Sequence, residues 1–113
     1  MGTAEKNLPA GKAGIAELIK AKVRGKDPLA DVILFGSHAR GQAKKDSDWD
    51  ILILLNRPNV TRMTEKEFND DLYDIELEKG EIINAFVFSK EEWENKHSVT
   101  PLYKNIAKEG IHL

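Results

Sequence analysis

The chain has 113 residues, enough for one compact domain with its own hydrophobic core. It contains no cysteine, which excludes disulfide bonds, cysteine-containing zinc sites and thiol catalysis. Its 17 Lys and Arg residues against 19 Asp and Glu residues give a formal net charge of -2, so the bulk positive field typical of nucleic-acid-binding proteins is missing.

Nothing in the chain suggests a membrane segment. The longest apolar run, residues 51–55, is far shorter than the roughly 20 residues that a membrane-spanning helix needs. The first residues lack the apolar core of a signal peptide. We therefore predict a cytoplasmic protein folded as a single domain over residues 1–113, with residues 1–9 as a loose lead-in.

The first half of the chain indicates a helix followed by two strands. Ile15, Leu18, Ile19 and Val23 fall on one helical face, which closes between residues 25 and 28. Residues 32–35 and 48–55 are apolar runs bounded by turn-forming residues, which is typical of buried strands.

The second half indicates a helix, a strand and two further helices. We predict that the first of these helices starts between Thr61 and Thr64, because Thr64 and Glu67 have the spacing of a capping box, and that it ends at Gly80. Residues 82–88 are apolar on both faces, which predicts a central strand. Ser89 with Glu92 predicts a second capping box.

The last helix has an N-terminal Thr100-Pro101 signal and a stop at Gly110. Its spacing predicts that four side chains face inward: Leu102, Tyr103, Ile106 and Ala107. This apolar face either caps the sheet or forms a homo-oligomer interface. The order of elements, α-β-β-α-β-α-α, indicates an α/β or α+β fold.

One segment carries chemistry, and its first part reads Gly36-Ser37-His38-Ala39-Arg40-Gly41. A residue without Cβ after a buried strand lets the backbone approach an anion closely. Ser37 would open a short helix whose free N–H groups favour phosphate oxygens. Arg40, one helical turn further on, can contact the phosphates or lock the loop by pairing with a carboxylate. We expect His38 to be an exposed loop residue.

The second part of the segment is Ser47-Asp48-Trp49-Asp50, at the start of a strand. Asp48 and Asp50 are two residues apart, so both side chains leave the same face and Trp49 points into the core. Two such carboxylates can hold a hard divalent cation whose remaining ligands are nucleotide phosphates. A Gly-Ser turn or an Asp-x-Asp alone is common and uninformative, but the combination is specific.

The combined pattern, Gly36-Ser37-x-Ala39-Arg40-Gly41 followed by Ser47-Asp48-x-Asp50, resembles the minimal nucleotidyltransferases of the DNA polymerase beta superfamily. The resemblance implies a small mixed sheet flanked by helices. It implies that Gly36, Ser37, Arg40 and Ser47 bind the nucleotide. It also implies that Asp48 and Asp50 are catalytic and bind Mg²⁺.

The implied reaction is attack by a hydroxyl group on the α-phosphate of a nucleoside triphosphate, with release of pyrophosphate. ATP is the expected substrate, so that AMP is transferred. Family members of this size resemble the antitoxin half of a pair whose partner is a helical HEPN-type protein modified on a tyrosine. The resemblance thus implies a protein acceptor.

The chain departs from the family at one point. The family usually has a third carboxylate on a later strand, and the corresponding segment, residues 82–88, has neither Asp nor Glu. Asn84 lies on the face where that carboxylate is expected, and Glu76, Glu78 and Glu81 are nearby acidic alternatives. A second hypothesis follows, in which the chain is a catalytically impaired module that binds nucleotide or a partner without transfer.

Overall fold

The computed structural model describes residues 13–44 and 47–113, so the lead-in predicted for residues 1–9 lies outside the described residues. The elements are α1 Ala13–Lys26, β1 Asp31–Phe35, β2 Trp49–Leu55, α2 Arg62–Lys79, β3 Ile83–Ser89, α3 Lys90–Lys96, α4 Pro101–Glu109 and β4 Ile111–His112. None of the helices in the described residues is long and apolar enough to cross a bilayer. The cytoplasmic location and the domain limits stay predictions.

The strands form one mixed sheet in the order β3-β2-β1-β4. β2 lies between β1, to which it is antiparallel, and β3, to which it is parallel. The predicted small mixed sheet with flanking helices is therefore confirmed. The prediction that residues 82–88 form a central strand is wrong, because β3 lies at the edge of the sheet, and both Ile82, just before it, and Phe86, within it, remain exposed.

Both faces of the sheet carry a hydrophobic core. On one face, strand residues pack with α1 and α2; these are Val32, Leu34, Ile51, Ile53 and Leu55. On the other face, strand residues pack with α3 and α4; these are Ile33, Phe35, Leu52 and Leu54. The central position of β2 explains why its residues 51–55 are apolar without alternation.

Local capping signals set most helix ends. The Ser89 hydroxyl accepts the Glu92 N–H (2.9 Å) at the start of α3, and Gly80 ends α2 in the left-handed conformation, both as predicted. The Thr64–Glu67 capping box is wrong. Thr61 is the N-cap of α2 and its hydroxyl accepts the Thr64 N–H (3.2 Å), so the helix begins within the predicted range of Thr61 to Thr64, but not at Thr64.

The C-terminal segment closes one face of the sheet. Thr100 caps α4, Pro101 begins it and Gly110 ends it, as predicted. Ile106 is buried against the sheet, so the apolar face of α4 caps the sheet, whereas Ala107 is exposed, contrary to prediction. β4 carries no signal in the sequence, because a two-residue strand has no period of its own and is defined only by its pairing with β1.

The edge position of β3 gives a test by urea unfolding of two matched variants. Ile51→Ala empties a fully buried site in the central strand, and we expect it to lower the free energy of unfolding by about 2–5 kcal/mol. Ile82→Ala truncates a side chain that is 57% exposed, and we expect a loss below about 1 kcal/mol. Equal losses would contradict the edge placement.

Candidate active site

The residues after β1 form a single tight turn. Gly36 has φ +76°, and the backbone N–H of Arg40 donates to its carbonyl oxygen (3.1 Å). The Gln42 N–H then donates to the Ser37 carbonyl (2.9 Å) and closes the turn. The short helix predicted from Ser37 onward is wrong, because these bonds end the helical turn before a second one begins.

Gly36 is in direct contact with Asp50. The antiparallel register pairs Phe35 with Asp50, which brings the end of β1 beside the start of β2. A Cβ placed on Gly36 would collide with the Oδ2 atom of Asp50 and lie 3.1 Å from its Cγ atom. The glycine is therefore required by two features of the folded chain, a left-handed backbone and the close approach of this carboxylate.

Asp48 and Asp50 are brought together with a third polar residue, Asn84. The Asn84 amide Nδ2 donates to Asp48 Oδ2 (3.0 Å) and to Asp50 Oδ1 (3.3 Å). Asp50 and Asn84 are partners in the parallel pairing of β2 with β3, so their side chains leave the same face. The amide partly offsets the repulsion between the two carboxylates.

The acidic alternatives for a third carboxylate all make other contacts. Glu81 accepts a hydrogen bond from the indole N–H of Trp49 (2.9 Å), whose side chain lies in the core on the opposite face from Asp50. Glu76 accepts the backbone N–H of Ile83 (2.7 Å), and Glu78 pairs with the adjacent lysine (3.5 Å). None of the three joins the two aspartates in the contacts of the described chain.

His38 is buried, not exposed as predicted. Its ring is 4% exposed and stacks on Trp49 with ring centroids 4.0 Å apart. Its Nε2 atom is 3.0 Å from the carbonyl oxygen of Ser47, and the Ser47 hydroxyl accepts the backbone N–H of Lys44 (2.7 Å). These contacts hold the turn against the entry to β2, and no local sequence pattern signals them.

The two side chains expected at the phosphates differ in their contacts. Arg40 takes the second of its predicted options: its Nη1 donates to Glu109 Oε2 (2.9 Å), and its Nε donates to Gln42 (3.1 Å). The same Glu109 oxygen also accepts the Gly36 N–H (2.9 Å). The Ser37 hydroxyl has no hydrogen-bond partner within residues 13–44 and 47–113, so it is free to donate to a ligand.

Tyr103 is a perturbed group that lies outside this cluster. Its hydroxyl donates to Glu94 (2.7 Å), and this hydrogen bond is the main cause that raises the pKa of Tyr103 above its usual range. The bond joins α3 to α4, over the part of the sheet that these helices cover. Tyr103 therefore has a packing role, as its helical spacing indicates.

The donor set suits a hard divalent cation that also binds a nucleotide. Mg²⁺ in proteins is usually bound by one or two carboxylates, with water and substrate phosphates as its other ligands. Asp48 and Asp50 supply two such carboxylates beside the Gly36 turn, and the described residues contain no cluster of three His, Cys, Asp or Glu side chains that would enclose an ion without substrate.

Comparisons with known proteins agree on a family. The family described as "Nucleotidyltransferase domain" matches residues 16–112. The protein named "Putative protein adenylyltransferase MJ0604", from Methanocaldococcus jannaschii, is 37% identical over 94 residues, which are 81% of this chain and 83% of that protein.

A solved structure described as "Crystal structure of the toxin-antitoxin with AMP-PNP" shares the fold. Its TM-score is 0.63, and the match covers 85% of this chain and 69% of that chain at 18% identity. The resemblance seen in the sequence is thereby confirmed: the chain belongs to the nucleotidyltransferase domain family and is an enzyme of the minimal nucleotidyltransferase type.

Proposed function

We propose that this enzyme transfers AMP from Mg-ATP to a hydroxyl group of a partner protein. The observation that carries the proposal is the contact of Gly36 with the Asp50 carboxylate, which shares the amide of Asn84 with the Asp48 carboxylate. The choice of AMP and of a protein acceptor is supported by the name of the archaeal relative, a protein adenylyltransferase.

The proposed nucleotide site is the turn of residues 36–41. The Ser37 hydroxyl donates to the triphosphate, and Gly36 keeps the backbone close to the carboxylates. Arg40 and Ser47 contribute to nucleotide binding indirectly. Their side chains form hydrogen bonds within the chain that hold the turn and its linker in place. All four residues that the sequence indicated therefore belong to the proposed site, and Arg40 and Ser47 have a supporting role in it.

The proposed metal ligands are Asp48 and Asp50. Mg²⁺ bound there would neutralise phosphate charge and make the α-phosphorus more electrophilic. Asn84 directs its Nδ2 atom at both carboxylates, and a half-turn of the amide would present its carbonyl oxygen instead. Asn84 thus occupies the place where the family resemblance leads us to expect a third carboxylate.

The proposed reaction transfers the AMP group of ATP to the acceptor. The acceptor oxygen forms a bond to the α-phosphorus, the bond from that phosphorus to the bridging oxygen breaks, and pyrophosphate leaves with the electron pair. The acceptor proton passes to water, which reaches Asp48 and Asp50 because both are only half-buried. The acceptor that we propose is a tyrosine of a helical HEPN-type partner, as the resemblance implies.

The presence of Asn84 favours one alternative function. A site with two carboxylates and an amide can bind Mg-ATP but has one fewer acidic group to activate the acceptor. The chain would then be a nucleotide-binding or partner-binding module. Incubation with Mg²⁺, α-labelled ATP and extract distinguishes the two: covalent AMP on an acceptor supports transfer, and binding without label supports the alternative.

The first prediction concerns the two aspartates and needs no acceptor. We expect the Asp48→Asn, Asp50→Asn double variant to bind Mg-ATP at least about 10-fold more weakly than wild type in calorimetric titration, a difference of about 1.4 kcal/mol or more. The control is Asp70→Asn, Asp74→Asn, which makes the same charge change on exposed positions of α2. Equal weakening by both double variants would contradict the assignment of the site.

The second prediction concerns Asn84. Asn84→Asp adds a third negative charge beside two others. Without Mg²⁺ we therefore expect the free energy of unfolding to fall by about 1 kcal/mol, and the melting temperature by roughly 4–8 °C. Mg²⁺ should restore that loss and raise AMP transfer. Asn84→Ala, which removes the amide without adding charge, is the control. If Mg²⁺ does not change the melting temperature of Asn84→Asp, the cation does not bind beside Asn84, which would contradict the proposed metal site.

The third prediction separates backbone strain from contact at two glycines. Gly36 and Gly41 both have positive φ, but a Cβ on Gly41 meets nothing within 4 Å, whereas one on Gly36 meets Asp50. We expect Gly41→Ala to lower stability by about 1–2 kcal/mol through strain alone. Gly36→Ala should lower stability further and also abolish Mg-ATP binding. Retention of full binding in Gly36→Ala would refute the role of this contact.

A further inference from the structure

Glu109, the last residue of α4, contacts the turn of residues 36–41. Its Oε2 atom accepts two hydrogen bonds, from the Gly36 N–H (2.9 Å) and from Arg40 Nη1 (2.9 Å). These partners lie 73 and 69 residues away in sequence. The side chain is 24% exposed, so the ion pair is partly shielded from solvent.

The two bonds close the turn at both of its ends. The Arg40 N–H already donates to the Gly36 carbonyl (3.1 Å), so the backbone of Gly36 and both the backbone and the side chain of Arg40 belong to one ring of contacts. The described residues between the turn and β2, 42–44 and 47–48, form no helix that would hold its shape. Charge-assisted bonds to a carboxylate are stronger than neutral ones, so Glu109 supports the turn from outside, in addition to the stack of His38 on Trp49.

The backbone around Glu109 is itself fixed. Ile106 anchors α4 on the sheet, and the following Gly110 has no room for a Cβ, which would lie 2.7 Å from Ile33 Cγ2. Directly after it, β4 pairs with β1 at Ile33 and Leu34. The strand that carries the turn therefore also fixes the residue that supports it.

We propose that Glu109 is a positioning residue for nucleotide binding: it holds the Gly36 N–H and the Arg40 guanidinium so that the turn is already shaped for the triphosphate. The inference rests on the proposed function, since it assumes that the turn takes the nucleotide. The opposite role is also testable. A carboxylate that merely occupied the place of a phosphate would compete with ATP, and its removal would tighten binding.

The test uses the full chain and two readouts, amide hydrogen exchange of Gly36 without nucleotide and calorimetric titration of Mg-ATP. We expect Glu109→Ala to accelerate Gly36 exchange at least about 10-fold and to weaken Mg-ATP binding about 10-fold. Glu109→Gln keeps an acceptor oxygen without the charge and should give intermediate values. The control is Glu65→Ala, which removes an exposed carboxylate from α2.

If the contact of Arg40 with Glu109 were purely structural, substitutions of these two residues would not be coupled in their effect on the affinity for Mg-ATP. We expect the Arg40→Ala, Glu109→Ala double variant to bind Mg-ATP no more weakly than the worse single variant, because both act through one contact. Additive losses would overturn the inference, as would unchanged Gly36 exchange or tighter binding in Glu109→Ala.

Failure of the proposed function would look different from failure of this inference. Wild type would then not bind Mg-ATP, although Gly36 exchange would still respond to Glu109→Ala. That result refutes the nucleotide site and, with it, a positioning role for nucleotide. A wild type that binds Mg-ATP together with a Glu109→Ala variant of equal affinity refutes the positioning role alone.

Discussion

The contact of Gly36 with the Asp50 carboxylate is the constraint on which the site depends. It joins the end of β1 to the start of β2, so the turn and the carboxylates keep one relative position. Strand pairing sets this position, because Phe35 and Asp50 are register partners. In the described part of the linker between the two strands, Gln42 bonds to Ser37 and Arg40, and Ser47 bonds to Lys44 and His38.

Alternation along β2 separates chemistry from packing. Asp50 leaves one face, toward Asn84, while Trp49 leaves the other and is completely buried. The stack of His38 on Trp49 ties the turn to the buried face. A polar site and a core anchor therefore lie one residue apart, and a shift of one residue in the β1–β2 register would exchange them.

Features set by local chemistry were predictable, and features set by distant partners were not. Ser89 and Thr100 cap helices through bonds to residues three positions on. Asp48, just before β2, and Asp50 both meet Asn84, as the two-residue period of a strand predicts. Glu109 is 73 residues from Gly36, and an isolated glutamate at a helix end carries no pattern. The burial of His38 was not predictable, because it depends on the stack with Trp49, which follows the linker in the sequence.

The error at β3 has a physical cause that bears on the site. Ile82 and Phe86 flank Asn84 on the same face and are 57% and 39% exposed, and Phe86 contacts Phe35 with ring centroids 5.7 Å apart. Apolar side chains at an edge imitate the pattern of a central strand, but here they border a charged cluster. In the function that we propose, an acceptor covering them would displace water, and in that drier surrounding the attraction of Mg²⁺ to the phosphate and to the two carboxylates would strengthen. Binding of the proposed acceptor would therefore raise the affinity of the site for the nucleotide.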